Sequence, residues 1–249
     1  MNSSCNIKYS STSHPKAITC SISPETLQKA VKITNEYLIN LPSFFSTTDS
    51  FYEILNQRNL SGFLGEIFKK VICELDKNFI PNPHPDGRPD ILHLENASIV
   101  KHFNEECFDQ ITKLPIRSFL APFQFNGIEV KASIGSLKGA AKDFPIGKPR
   151  INDISSINYW AHHRHACNLL GIYYDFCEYN NGMPQIKALF FCNLIEEDWN
   201  KVSLGKAENK KTSNTSLNKD GISKLKNSLI LYSSEQKYID YFRKNNFLM

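Results

Sequence analysis

The stretch Gly127-Ile128-Glu129-Val130-Lys131-Ala132-Ser133-Ile134 alternates between apolar and polar side chains after its glycine. A period of two residues is typical of a β-strand with one face in the core and the other exposed. Glu129 and Lys131 are two positions apart, so a strand places both side chains on its polar face. The stretch therefore predicts a sheet that carries a carboxylate beside an ammonium group.

A second short strand is predicted upstream, at residues 90–94. It follows a run of turn formers, Asn82-Pro83-His84-Pro85-Asp86-Gly87-Arg88-Pro89, and begins with Asp90. Asp90 precedes Glu129 by 39 positions. If the two strands are neighbours, Asp90, Glu129 and Lys131 converge at one end of the sheet.

Two carboxylates and a lysine suit the hydrolysis of a phosphodiester bond. Carboxylate oxygens are hard ligands that hold Mg²⁺ while the ion keeps several of its waters. Mg²⁺ polarises a phosphoryl oxygen and lowers the pKa of bound water, and a nearby lysine stabilises developing negative charge. We therefore predict that Asp90, Glu129 and Lys131 are catalytic. The predicted Mg²⁺ ligands are Asp90, Glu129 and the backbone carbonyl of Val130.

These residues resemble the motif of the PD-(D/E)XK nuclease superfamily, here Pro89-Asp90 and Glu129-Val130-Lys131. The longer stretches 82–92, 127–132 and 160–164 look like those of bacterial type II restriction endonucleases. The resemblance implies an α/β (α+β) fold with a central mixed β-sheet flanked by helices, which is restriction-endonuclease-like. It also implies Mg²⁺-dependent cleavage of double-stranded DNA at a short specific sequence.

The same resemblance implies a biological setting. An enzyme that cuts both strands of a symmetric site is expected to be a homodimer, because protein symmetry mirrors the symmetry of the site. A cognate DNA methyltransferase would be its genetic partner, and the bacterial cytoplasm its location. Two alternatives stay open. One is a repair, junction-resolving or modification-dependent nuclease of the same fold, and the other is a non-catalytic DNA-binding module.

Glu66 is a weaker candidate metal ligand. Members of the superfamily often carry an acid on the helix before the first catalytic strand, and the position of Glu66 resembles it. The helical period of residues 60–75 places Glu66 nearly opposite the apolar stripe and four positions before Lys70, which is typical of an exposed ion pair. The strand motif has a similar alternative, an ion pair on a solvated face with Asp90 as a turn residue.

Several cations and histidines are predicted to contact DNA. Four lie in the glycine-containing segment after the motif strand and three lie further along: Lys138, Lys142, Lys148, Arg150, His162, His163 and Arg164. Cations that neutralise phosphates release counterions and so strengthen binding. The alternatives are a solvated loop for the first group and a boundary helix with half-buried histidines for the second. His163 and Cys167 also have the spacing of a zinc pair, but no further ligands accompany them.

The rest of the chain predicts helices and strands around this motif. A helix begins at Pro24 after the cap Ser23, and further helices are predicted at residues 60–75, 158–170 and 235–243. Strands are predicted at residues 172–179, 185–193 and 229–232, with a hairpin turn at 180–182 and a mobile loop at 206–218. We divide the chain into an N-terminal helical segment (1–59), a nuclease core (60–195) and a C-terminal basic loop with a closing strand and helix (196–249). The last part belongs to the same domain as the core.

The composition is that of a globular protein. The 249 residues include 29 basic and 25 acidic ones, and 41% are hydrophobic, which excludes a disordered tail, a collagen-like repeat and a coiled-coil rod. No apolar run predicts a membrane helix, the polar N-terminus predicts no signal peptide, and seven cysteines without a C-x-x-C pair favour a reducing cytoplasm. Residues 131–150 and 201–228 carry an excess of cations, which fits a polyanionic partner or two solvated loops.

Overall fold

A computed structural model of the chain describes residues 9–11, 22–44, 55, 57–134, 159–160, 164, 168–176, 183–204 and 213–248. These residues form a mixed β-sheet with helices packed against both faces. The predicted class, a central mixed sheet flanked by helices, is confirmed at this level.

The strands of the described residues form two sheets. In chain order they are β1 (Tyr9–Ser11), β2 (Phe79–Pro81), β3 (Ile91–His93), β4 (Gly127–Ser133), β5 (Tyr159–Trp160), β6 (Asn168–Phe176), β7 (Pro184–Asn193), β8 (Ser203–Leu204), β9 (Ser213–Thr215) and β10 (Leu229–Ser233). Seven form the main sheet in the order β1-β10-β7-β6-β4-β3-β2, and three form a small sheet in the order β5-β9-β8. In the main sheet β4 is parallel to β6, and the other neighbours are antiparallel.

The α-helices occur before, between and after the strands. They are α1 (Pro24–Asn40), α2 (Gln57–Leu75), α3 (Ala97–Glu106), α4 (Arg117–Leu120), α5 (Lys219–Lys226) and α6 (Gln236–Lys244). Short 3-10 turns occupy Leu41–Phe44 and Glu196–Asp198. The helix α2 thus leads directly into the antiparallel strands β2, β3 and β4, which contain the predicted motif.

Strand β4 has the predicted position and the predicted alternation. Ile128 and Ile134 are buried in the core cluster that α1 and α2 cover. Glu129 and Lys131 point to the opposite face, because successive side chains of a strand alternate. The predicted strand at residues 90–94 is also present, as β3, and it pairs with β4. The two motif strands are therefore neighbours.

Helices α1 and α2 cover one face of the sheet. As predicted, α1 begins with Ser23, whose Oγ accepts a hydrogen bond from the Thr26 amide at 3.0 Å, and with Pro24 in the first turn. The helix α2 buries the stripe that its period predicts, which includes Leu60, Leu64, Phe68, Val71 and Ile72. Gly65 of α2 lies over β4, since a Cβ there would be 3.9 Å from Cγ1 of Val130.

Strands β6 and β7 are buried along nearly their whole length, because helices cover both of their faces. One face meets α1 and α2, and the other meets α5 and α6 through a second cluster that includes Phe190 and Phe242. A buried cation holds the start of α6 against the sheet. The Nζ atom of Lys187 is 2.5 Å from Oε1 of Glu235 and 3.1 Å from Oε1 of Gln185.

The segment between β3 and β4 folds around a third cluster. The buried residues of this cluster are Leu92, Ile99, Cys107, Leu120 and Phe123. The segment includes α3 and α4. Its two ends meet beside the sheet, where the His93 amide donates to the Asn126 carbonyl at 3.0 Å. This segment, residues 94–126, is called the excursion below. It leaves and rejoins the sheet next to the motif residues.

The predicted helix at residues 158–170 is wrong at both of its ends. Tyr159–Trp160 forms β5, and β6 begins at Asn168. Gly171, expected to end that helix, lies inside β6. The strand predicted at residues 172–179 is therefore present, but it starts four positions earlier.

The reason for this error is the burial of β6 on both faces. A strand of that kind is apolar throughout and lacks the alternation that distinguishes a strand from a helix. Asn168, at the start of β6, is a polar residue in this buried strand. In the sheet this side chain is buried and donates to the Gly127 carbonyl at 2.9 Å, so its polar group is satisfied within the core.

The C-terminal part differs from the prediction in two places. Residues 206–218, predicted as a loop, include strand β9, and helix α5 was not predicted. The last predicted strand and helix are confirmed as β10 and α6. The predicted hairpin turn at 180–182 lies outside the described residues. In the part of the chain that the structure describes, no helix has the length and apolar character needed to span a membrane.

Gly127 and Gly62 provide a matched test of the packing at β4. A Cβ at position 127 would overlap with Cγ of Pro89 and with the carbonyl oxygen of Ile91, so we expect Gly127→Ala to destabilise the protein by about 1–3 kcal/mol. Gly62 of α2 has open space around it, so Gly62→Ala should be neutral or stabilising by up to about 1 kcal/mol. Urea unfolding measures both, and equal effects would contradict the close approach at Gly127.

Candidate active site

Asp90 and Glu129 meet where β3 and β4 pair. The register Ile91↔Ile128 continues by one position to place Asp90 opposite Glu129. The Val130 amide donates to Oδ2 of Asp90 at 2.8 Å, and the Asp90 amide donates to the Glu129 carboxylate. The Glu129 side chain is buried, with the residue 4% exposed. The structure thus brings together the two carboxylates that the sequence pattern places at one end of the sheet.

The turn before Asp90 is fixed by one side chain, that of Asn82. Its Nδ2 atom donates to the carbonyls of Pro89 at 3.1 Å and Leu120 at 3.0 Å, and its Oδ1 atom accepts from the His84 amide at 3.1 Å. Its backbone amide donates to the Asp90 carbonyl at 2.9 Å. The turn formers of this stretch therefore position the carboxylate as well as connect two strands.

Burial opposes the ionisation of both acids, and the negative charge of Asp90 opposes that of Glu129 further. Burial raises the pKa of Asp90, and the hydrogen bond from Val130 together with the Lys69 ammonium opposes this rise. Burial and the negative charge of Asp90 raise the pKa of Glu129 to about 8. Without an added cation the pair therefore holds a proton at neutral pH. A bound divalent cation would replace that proton, because metal ligands must be deprotonated.

Three cations of the described residues act on these carboxylates. Lys131, predicted as catalytic, lowers the pKa of both Asp90 and Glu129. Lys69 of α2 lowers the pKa of Asp90 by more than Lys131 does. Arg88 lowers the pKa of Glu129 by more than Lys131 does. The site therefore surrounds two acids with positive charge contributed by α2, by the turn before β3 and by β4.

Glu66 lies on α2 close enough for its negative charge to raise the pKa of Asp90. Its side chain is 68% exposed and pairs with Lys69 at 2.6 Å. The helical period offered an exposed pair with Lys70 as the alternative. In the structure Lys70 instead lies 3.9 Å from Glu74. Glu66 thus stands at the solvent side of the candidate site, and its role as a metal ligand stays a prediction.

The donor atoms of the site fit Mg²⁺. Asp90, Glu129 and the Val130 carbonyl offer hard oxygen ligands, and Mg²⁺ commonly uses one or two protein carboxylates while it keeps several waters. Within the described ranges, no group of three or more His, Cys, Asp or Glu side chains is arranged to hold a metal. A closed cage of the zinc type is therefore not seen there. The candidate zinc pair, His163 and Cys167, lies outside the described residues.

Most of the residues predicted to contact DNA also lie outside the described residues. These are Lys138, Lys142, Lys148, Arg150, His162 and His163. Arg164 is described, and its Nη2 atom donates to Oε1 of Glu196 at 2.7 Å. Its side chain is 22% exposed. DNA contact by Arg164 stays a prediction, and it would require this guanidinium to share or exchange its carboxylate partner.

Lys69 and Arg88 are the site residues that the sequence pattern did not single out. Lys69 is three positions after Glu66, and Arg88 immediately precedes Pro89-Asp90. Their closeness in the sequence to the candidate acids Glu66 and Asp90 is the signal that could have identified them. The approach of these two cations to the acids depends on the packing of α2 over β4 and on the excursion, and no local pattern predicts either contact.

No protein-family model, curated protein or solved structure matches this chain. The pair formed by the buried Glu129 and the partly buried Asp90 is the feature of the described residues that most needs a functional explanation, because like charges in a low-dielectric site destabilise the fold.

The pH dependence of stability tests the raised pKa of Glu129. A carboxyl whose pKa is higher in the folded chain stabilises the fold below its unfolded pKa, near 4.5, and this contribution is lost as the pH rises through about 8. We therefore compare the free energies of unfolding of Glu129→Gln and of the wild type, both in EDTA. The value for the variant minus that for the wild type should increase from pH 4.5 to pH 8. The slope approaches about 1.4 kcal/mol per pH unit.

Glu74→Gln is the matched control for this measurement. The Glu74 side chain is 53% exposed and lies 3.9 Å from Lys70. Its substitution should therefore change the free energy of unfolding only slightly, and by the same amount at every pH in this range. A difference between Glu129→Gln and wild type that stays constant with pH would show that Glu129 ionises normally.

Proposed function

We propose that the protein is a Mg²⁺-dependent endonuclease that hydrolyses double-stranded DNA at a short specific sequence, as type II restriction endonucleases do. The observation that carries the proposal is the pairing of β3 with β4, which sets the partly buried Asp90 carboxylate beside the buried Glu129 carboxylate, with Lys131 on the same strand as Glu129. These groups suit metal-assisted phosphodiester hydrolysis.

The order of elements supports the proposal. A helix, α2, leads into three antiparallel strands, and the third of them, β4, then pairs in parallel with β6. This arrangement is compatible with the restriction-endonuclease-like core that the motif implies. Within the same proposal, the protein acts as a homodimer on symmetric sites in a bacterial cytoplasm. A DNA methyltransferase would protect the host sites.

Asp90, Glu129 and the Val130 carbonyl would hold the ion in this proposal. Bound Mg²⁺ supplies polarisation of the phosphoryl oxygen and a water of lowered pKa. The Lys131 ammonium orients the attacking water and stabilises the negative charge that develops on the phosphoryl oxygens. Water adds to phosphorus as the bond to the 3′ oxygen breaks, which leaves a 5′-phosphate and a 3′-hydroxyl. The two acids must first release the proton that they hold.

Cleavage of unmethylated phage-sized DNA, with Mg²⁺ and separately with EDTA, tests the proposal. We expect discrete fragments with 5′-phosphate ends in Mg²⁺ and intact DNA in EDTA. Asp90→Asn and Lys131→Met should each lower the cleavage rate by about 100-fold or more, because each removes a group that acts on the transition state. Lys101→Met is a matched control, since Lys101 lies on α3, 71% exposed and 3.8 Å from Glu105.

The other outcomes separate the alternatives. A smear would favour a repair or non-specific nuclease, and cleavage restricted to branched or methylated duplexes would favour a junction-resolving or modification-dependent one. Salt-sensitive DNA binding without hydrolysis would contradict the catalytic proposal and favour a binding module. Full activity of Lys131→Met would leave a nuclease but remove the role assigned to Lys131.

A further inference from the structure

Three hydrogen bonds hold Arg88 against the excursion. Its amide donates to the Leu120 carbonyl at 2.9 Å, and its own carbonyl accepts from the Phe123 amide at 2.7 Å. Its Nη2 atom donates to the Ala121 carbonyl at 3.1 Å. The backbone and one corner of the guanidinium are therefore held by three successive contacts with residues 120–123, and the side chain is preorganised.

This guanidinium keeps donors for a ligand. A guanidinium has five N–H donors in a rigid fork, and the recorded contact with Ala121 uses one of them. The Nε atom of Arg88 is buried, and no hydrogen-bond acceptor for it occurs among the described residues. A buried donor without an acceptor costs free energy, so such a group in a folded protein calls for an explanation. An anionic ligand with two oxygens supplies one.

The position of Arg88 shows which ligand would meet it. Arg88 directly precedes Pro89-Asp90, and its charge acts on the carboxylate of Glu129. A phosphodiester that is placed for attack at a cation held by these acids would carry its non-bridging oxygens into the same small region. A planar guanidinium matches two phosphate oxygens at once, whereas an ammonium group makes a point contact.

We propose that Arg88 binds the non-bridging oxygens of a DNA phosphate at the candidate site, through the guanidinium edge that the Ala121 carbonyl does not occupy. The inference rests on the proposed function for the identity of the ligand, and it adds a phosphate-binding residue that is distinct from Lys131. The alternative is that Arg88 only balances the charge of Glu129.

Equilibrium binding of a fluorescent duplex in EDTA tests the inference without any cleavage. We expect Arg88→Met to weaken binding about tenfold, as the loss of a charge-assisted contact predicts. The slope of log affinity against log salt should fall by about one phosphate contact. Arg88→Lys should not restore binding, because an ammonium group cannot reach the Ala121 carbonyl and two phosphate oxygens together.

Arg117→Met is the matched control. Arg117 is 67% exposed, and its guanidinium lies 3.8 Å from the exposed carboxylate of Asp86. Its salt slope should equal that of the wild type. Thermal unfolding of Arg88→Lys and Arg88→Met separates a loss of contact from a loss of fold. If Arg88→Met unfolds, the binding of the folded Arg88→Lys variant decides, and an affinity equal to that of the wild type would overturn the inference.

The outcomes distinguish this inference from the nuclease proposal. If Arg88→Met and Arg88→Lys bind DNA as tightly as the wild type and with the same salt slope, the role of Arg88 is overturned. Mg²⁺-dependent cleavage by the wild type would still leave the nuclease proposal standing. Weakened binding by the variants without any wild-type cleavage would support the role of Arg88 and overturn the nuclease. A wild type that neither binds DNA in EDTA nor cleaves it in Mg²⁺ would overturn both.

Discussion

The hydrogen bond from the Val130 amide to Oδ2 of Asp90, at 2.8 Å, is the contact on which the rest of the site depends. It joins the start of β3 to the middle of β4 and fixes the carboxylate that precedes β3. The antiparallel register then leaves Glu129 opposite Asp90, since a slip of one residue would turn Glu129 into the core that α1 and α2 cover. The same pairing that builds the sheet therefore also builds the acid pair.

A second buried charge in the protein shows by contrast why this pair calls for a function. Lys187 is 1% exposed, but Glu235 lies 2.5 Å away, so each charge neutralises the other and the pair ties α6 to the sheet. Asp90 and Glu129 carry the same sign, and burial raises the pKa of each. Without a metal, the raised pKa of Glu129 makes the fold less stable as the pH rises from about 4.5 to about 8. Such arrangements are typical of sites that bind a cation or move a proton.

The sequence predicted the parts of the site that are local. The period of two in β4 and the turn before Asp90 are patterns within a few residues, and both are present as predicted. The start of β6, residues 168–170, was predicted as helix, because burial on both faces removes the alternation from its sequence. Lys69 and Arg88 were missed for a different reason. Their contacts join segments that are distant in the chain, and only tertiary packing decides which cations reach the acids.

One carbonyl group connects the excursion to the turn before Asp90. The Leu120 oxygen accepts from the Arg88 amide at 2.9 Å and from Nδ2 of Asn82 at 3.0 Å. Asn82 in turn holds the carbonyls of Pro89 and Asp90. A shift of the excursion would therefore move the turn that presents Asp90 and the guanidinium beside it, whereas Glu129 would keep its place because β6 pairs with β4 on the other side. The geometry of the two acids relative to each other thus depends on a segment that contributes neither of them.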